Sequence, residues 1–155
     1  MKKSAQSVQD ALDAAGLATQ VVELPDSTRS AQEAASAIGC AVAQIAKSIV
    51  FRAAVSGEAV MVLAAGDNRI DTSKVAEVLG ERLGRAKPDF VRQATGFAIG
   101  GVPPCGHKNM LQIFVDRDLL DHEEVWAAAG TPNAVFRLSP TDLVRLTGGR
   151  VLAVS

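Results

Sequence analysis

The chain has 155 residues, 48% of them hydrophobic and 21% charged, with a formal net charge of −1. That balance describes an ordinary globular protein large enough for one sizeable core, and it excludes a bulk basic pull toward nucleic acid. No apolar run reaches membrane-spanning length, Met1-Lys2-Lys3-Ser4 turns polar at once, and two cysteines make neither a disulfide framework nor a zinc spacing; a cytoplasmic protein with no bound metal is expected.

Val8, Ala11, Leu12 and Ala15 follow the stripe of an amphipathic helix over residues 4–15, stopped by Gly16. Thr19 to Leu24 reads as a strand before the turn Pro25-Asp26-Ser27. Ser30 with Glu33 signals the start of a second helix, which Gly39 ends. A helical turn over residues 43–46 leads into two strands, 48–53 and 59–65, joined as a hairpin around Ser56-Gly57. Asp71 and Thr72 cap a helix to Leu79, with Val75, Val78 and Leu79 inward. Pro88 opens a short helix that Gly96 stops. Residues 111–116 form a strand with Leu111, Ile113 and Val115 on one face, and 124–129 pairs with 134–138. Ser139, Pro140 and Asp142 begin a last helix to Leu146, and 150–154 is a final strand. Strands in runs with few helices between them point to an α+β domain with a mixed, largely antiparallel sheet, and to a single domain over 1–155.

The segment Phe97-Ala98-Ile99-Gly100-Gly101-Val102-Pro103-Pro104-Cys105-Gly106-His107 is the most informative stretch. Glycine permits close backbone approach and φ > 0, and proline removes an N–H and fixes φ. Such a loop is stiff and offers main-chain donors to a ligand's carbonyl or ester oxygens. It serves equally well as a rigid connection between elements with no ligand. Lys47 stands where the helical turn passes into an apolar strand, among Ile45, Ala46, Ile49 and Val50. A partly buried ammonium there needs an anion or a carbonyl partner; an ordinary surface lysine is the plainer reading.

Taken in order, Lys47 in Gln44-Ile45-Ala46-Lys47-Ser48, the segment 66–71, Gly-Gly-Val-Pro-Pro-Cys-Gly-His, Ala128-Ala129-Gly130-Thr131-Pro132-Asn133 and the closing Phe136-Arg137-Leu138-Ser139-Pro140 resemble the YbaK-type family. These are free-standing aminoacyl-tRNA deacylases, similar to the editing domain inserted in bacterial prolyl-tRNA synthetases. The resemblance implies a strongly curved, partly barrel-like sheet flanked by helices. It implies a functional Lys47 that holds the 3′ end of an aminoacyl-tRNA, with the glycine-proline loop shaping the aminoacyl pocket. It also implies hydrolysis by water with help from the substrate's own groups and no cofactor. Further partners expected are an aminoacyl-tRNA synthetase, and neither membrane nor DNA.

Within that frame Gly101 is the candidate oxyanion donor, a glycine being able to combine positive φ with close approach. Gly100, Pro103, Pro104, Cys105, Gly106 and His107 are candidate substrate contacts. For Gly106 the alternative is turn geometry alone. Cys105 and His107 lie two apart, but no third orienting group is evident for a thiol nucleophile. Cys105 then packs or lines the pocket, and His107 is a partly exposed loop residue. Arg69 suits a phosphate, though it pairs as readily with Asp67. Gly130, Thr131 and Asn133 close one side of the pocket or simply make a hairpin turn. A trans-editing esterase for small aminoacyl groups is the leading expectation. A non-catalytic module of the same fold, binding an acceptor stem or a protein, is the other, with a small-molecule binding domain as the third.

Overall fold

The computed structural model describes all residues from 1 to 155. Five helices and eight strands follow one another as α1 (Lys3–Ala14), β1 (Val22–Glu23), α2 (Ala31–Ile38), β2 (Ile45–Ala53), β3 (Ala59–Ala65), α3 (Thr72–Leu79), β4 (Leu83–Arg85), α4 (Pro88–Thr95), β5 (Gln112–Asp116), β6 (Val125–Ala128), β7 (Ala134–Leu138), α5 (Pro140–Thr147) and β8 (Arg150–Leu152). The helix ends obey their local chemistry. Ser30, Asp71 and Ser139 each accept a hydrogen bond from a first-turn N–H, and Gly39, Gly80, Gly96 and Gly148 close helices in the left-handed conformation.

The strands form one mixed sheet in the order β1-β7-β6-β2-β3-β5-β8, with β4 on β2 outside that path. The β2–β3, β2–β4, β6–β7 and β1–β7 pairs are antiparallel, and β2–β6, β3–β5 and β5–β8 are parallel. The architecture is α+β, as expected. The sheet is open, with β1 and β8 at its edges. β3 lies inside it, between β2 and β5, and is buried on both faces. Met61, Leu63 and Ala65 join the larger core with α1, α4 and α5, while Val60, Val62 and Ala64 pack with Val75, Phe114 and Val154. A third, smaller cluster joins α2 to Ile45 and half-buried Trp126.

Several local expectations need correction. The strand read over 19–24 is only Val22–Glu23. Residues 42–44 make the helical turn, so β2 starts at Ile45 and Lys47 lies inside the strand instead of ahead of it. Val78 is 37% exposed, because α3 covers the sheet through Val75 and Leu79 alone. Leu111, Ile113 and Val115 do share a face, but Phe114 fills the second core behind them. The strand β4 has no apolar alternation in Leu83-Gly84-Arg85 and was not anticipated.

Candidate functional site

A gap in the sheet makes the site. The ladder between β2 and β6 ends at Ala46↔Ala127, and that between β2 and β4 begins at Phe51↔Arg85. Residues 47–50 therefore have β3 on one side and no strand on the other. Ala53 N–H donates to Glu58 at 2.8 Å, so odd residues of β2 turn their main-chain polar groups toward β3 and even ones away. Ser48 thus turns its N–H and C=O, and Val50 its N–H, toward the bare edge. A cavity of about 650 Å³ opens there, lined from both faces of β2.

Three loops converge on this cavity. The glycine-proline loop docks on the β6–β7 turn through a 2.8 Å hydrogen bond from Gly130 N–H to the Gly101 carbonyl. The segment before α2 is fastened to the same turn, since Thr28 N–H and hydroxyl both donate to the Pro132 carbonyl at 2.8 and 3.0 Å. Asn133 donates from Nδ2 to the Leu24 carbonyl at 3.0 Å and accepts from Thr131 Oγ1 at 3.0 Å. Gly100 and Gly101 do different work. Gly100 has φ 99°, which side chains rarely adopt, with open space around it. Gly101 is not in that region. A Cβ on it would lie 2.7 Å from the Thr131 main chain, so glycine is required there for close approach alone. Neither N–H is used by another backbone group.

Lys47 is half-buried on the same face of β2 as Ile45 and beside Trp126, the register partner of Ile45. Its ammonium donates to the Asn68 carbonyl at 2.6 Å and lies 3.5 Å from that of Gly66. No carboxylate pairs with it. No side-chain charge offsets the cation at the wall of the cavity that Lys47 lines.

Of the residues singled out from sequence, Lys47, Gly100, Gly101 and Thr131 line one cavity. The others do not. Arg69 is exposed, forms no ion pair with Asp67 and stands outside the lining. Pro103 and Pro104 are buried behind Val102. Cys105 joins the main core beside α1, and a Cβ on Gly106 would touch Ala11. Gly130 has φ 94° and lies against Ser4 of α1. His107 is half-buried in the loop, partly exposed as expected, and its Nε2–H donates to the Pro103 carbonyl at 2.6 Å. No hydrogen bond joins it to Cys105.

Burial alone pushes the Cys105 thiol up to about 12. A thiol so raised is protonated at neutral pH and a poor nucleophile. Cys105→Ala is therefore expected to change turnover less than about tenfold, against the roughly 10⁶-fold loss when a true nucleophile is removed. Trapping of an aminoacyl-thioester on Cys105 would contradict this. Burial also pulls the His107 pKa down, although its hydrogen bond to Pro103 raises it. A lowered folded value means that the neutral ring's contribution is present above about pH 6.5 and is lost as pH falls through the folded pKa. Denaturant midpoints should decline below pH 6.5, and His107→Gln should flatten that decline.

Three cavity residues escaped sequence reasoning. Trp126, the only tryptophan, is an aromatic platform within a strand otherwise of Val and Ala. Arg29 and Arg85 are exposed, line the cavity and take part in no ion pair. The tryptophan's rarity was the one available signal. Arg85 sits on the unanticipated β4.

A family model for the aminoacyl-tRNA editing domain matches residues 25–146. The chain is 31% identical over 131 residues to the uncharacterized protein YwhH of Bacillus subtilis (strain 168), spanning 84% of this chain and 83% of that one. It is 37% identical over 91 residues to the proline–tRNA ligase of Limosilactobacillus fermentum, which is 56% of this chain but only 16% of the ligase. The crystal structure of a proposed trans-editing enzyme for prolyl tRNA synthetase superposes with a TM-score of 0.94 at 49% identity, over 100% of this chain and 98% of that one.

Proposed function

The chain belongs to the aminoacyl-tRNA editing domain family, and from that premise we propose that it is a free-standing deacylase that hydrolyses the ester of a mischarged tRNA bearing a small amino acid. The whole of residues 1–155 acts as one editing domain in this reading, in the cytoplasm and alongside an aminoacyl-tRNA synthetase. The observation that carries it is the convergence of a lysine with no ion-pair partner, two glycines whose N–H groups no backbone group uses and a bare strand edge on one cavity.

The chemistry follows from position and charge. The 3′-terminal adenosine enters beside Trp126, whose indole offers a stacking face worth ~1–3 kcal/mol per base. Lys47, held by its two carbonyl partners, directs its remaining ammonium donor to the sugar-phosphate or to the oxygen that gains charge. Gly101 N–H, with that of Gly100, donates to the ester carbonyl and stabilises the tetrahedral oxyanion. Water attacks the carbonyl carbon, the C–O bond to the ribose breaks, and the departing oxygen takes a proton. The substrate's vicinal hydroxyl assists, a group that RNA supplies beside the ester. No cofactor, metal or protein nucleophile enters, and Cys105 stays in the core. Discrimination rests on pocket size, where one methylene is worth only ~1–3 kcal/mol.

Arg29 and Arg85 suit the phosphates of the unpaired acceptor end, since guanidinium matches their geometry. Replacing both with alanine is expected to weaken tRNA binding and to flatten the log affinity versus log salt slope by about 1.4, at about 0.7 per phosphate on a single strand. An unchanged slope would remove both from the interface.

The deciding experiment presents a panel of mischarged tRNAs and measures release of each amino acid. Release of one or more small residues above the spontaneous rate supports the reading. Tight tRNA binding without release from any member would make the protein a non-catalytic acceptor-stem module instead.

A further inference from the structure

Asp116 ends β5 only 1% exposed. A carboxylate so buried is costly unless its oxygens are fully hydrogen-bonded. Its donors all lie in two short segments. Oδ2 accepts from Ala65 N–H at 3.0 Å and from Asn68 Nδ2 at 2.9 Å, and Oδ1 accepts from Asp118 N–H at 3.0 Å. Asn68 Nδ2 also donates to Asp118 Oδ2 at 2.8 Å, and its own N–H closes the turn onto the Ala65 carbonyl at 2.9 Å. The turn 66–68 is thus fixed from both sides. Gly66 is pressed against the Val42 carbonyl so closely that a Cβ would lie 2.3 Å from it.

That turn does one further thing. Its Asn68 and Gly66 carbonyls are the only partners of the Lys47 ammonium. Lys47 has no carboxylate to orient it, so the place of its charge is set by those two oxygens. Their place is set by Asn68, and that of Asn68 by Asp116. We infer that Asp116 is a positioning residue for Lys47, acting through the Asn68 turn from the C-terminal end of β5, two strands away from β2. This rests on the reading of Lys47 as the residue that acts on the ester.

Asp116→Asn keeps the shape but sets an amide N–H against one of the donors around it, Asp118 N–H or the Ala65 and Asn68 pair, and so loosens the network that holds the turn. In the wild-type background it should lower kcat about tenfold, or ~1.4 kcal/mol of coupling, with KM changed less. In a Lys47→Met background it should have no further effect on kcat. The ammonium protons of Lys47 should exchange with solvent faster in Asp116→Asn than in the wild type, as read by NMR. Asn68→Ala removes the link to Asp116 but keeps the carbonyl, and it should reproduce the kcat loss. It carries the same cycle if Asp116→Asn does not fold. Equal losses in both backgrounds, or no loss in either variant, overturn the inference while leaving Lys47 in its role. If Lys47→Met is itself as active as wild type, the reading of Lys47 fails first, and the inference fails with it.

Discussion

Lys47→Ala is expected to lower deacylation at least ~100-fold, about 2.7 kcal/mol of transition-state stabilisation, in a protein that still folds. The argument is electrostatic. Lys47 lines the cavity and is half-buried, and its ammonium is bound by two neutral carbonyls with no carboxylate beside it. A positioned cation in such a place favours growing oxyanion or phosphate charge more than it would in water. Folding depends on it less. Its register partner is Ala64, its neighbours remain packed, and the turn that it touches is independently held by Asp116. Lys47→Arg should rescue little, because a planar fork does not replace a point charge at a 2.6 Å carbonyl contact. Circular dichroism with single-turnover hydrolysis on one preparation checks both halves. A folded Lys47→Ala protein with near-normal turnover would refute the assignment.

Gly101→Ala is expected to reduce turnover by roughly 10²–10³, the range seen when an oxyanion donor is lost. The cause lies in the loop's seat. The added methyl meets the main-chain N, Cα and C of Thr131 at 2.7–2.8 Å, and a backbone cannot swing aside as a side chain can. The loop must lift, which stretches the Gly130–Gly101 hydrogen bond and carries the Gly100 and Gly101 N–H groups away from the cavity. A stability loss of about 1–3 kcal/mol should accompany it, as for other overpacked contacts. Gly100→Ala separates the two effects. It meets open space but strains φ, so it should cost stability with a smaller loss of rate. Full activity in Gly101→Ala would move the oxyanion site elsewhere.

The elements that could be read from sequence are those ruled by neighbours in the chain. Ser30, Asp71, Pro88 and Ser139 open helices where their chemistry says they should, and the 48–53 and 59–65 runs do form the central hairpin. What stayed hidden depends on residues far apart. β4 exists because Gly84 lies against Arg52, not because of any pattern of its own. Parallel pairing of β5 with β3 and β8 buries Phe114 as well as the alternating residues beside it, which erases the period that a one-sided strand would show. The site divides in the same way. Lys47 and the paired glycines stand out by residue type. Asp116, Asn68, Arg29 and Arg85 are ordinary in sequence and become informative only through what they face. The stretch from Pro103 to His107 stands out equally, yet its residues lie outside the cavity and brace the loop against α1 and the core.

The bare edge of β2 also bears on self-association. Unpaired strand edges recruit strands from other molecules, and proteins usually blunt them with charge, proline or brevity. The outer edges here are brief, β1 having two residues and β8 three. The longer open edge, along 47–50, lies at the centre of the sheet between β6 and β4, recessed in a cavity walled by the Gly100–Val102 loop and the Thr131–Pro132 turn. A nucleotide-sized guest can reach it, whereas a strand from another molecule meets those walls first. The same loops that shape the pocket thereby act as guards against fibrillar stacking.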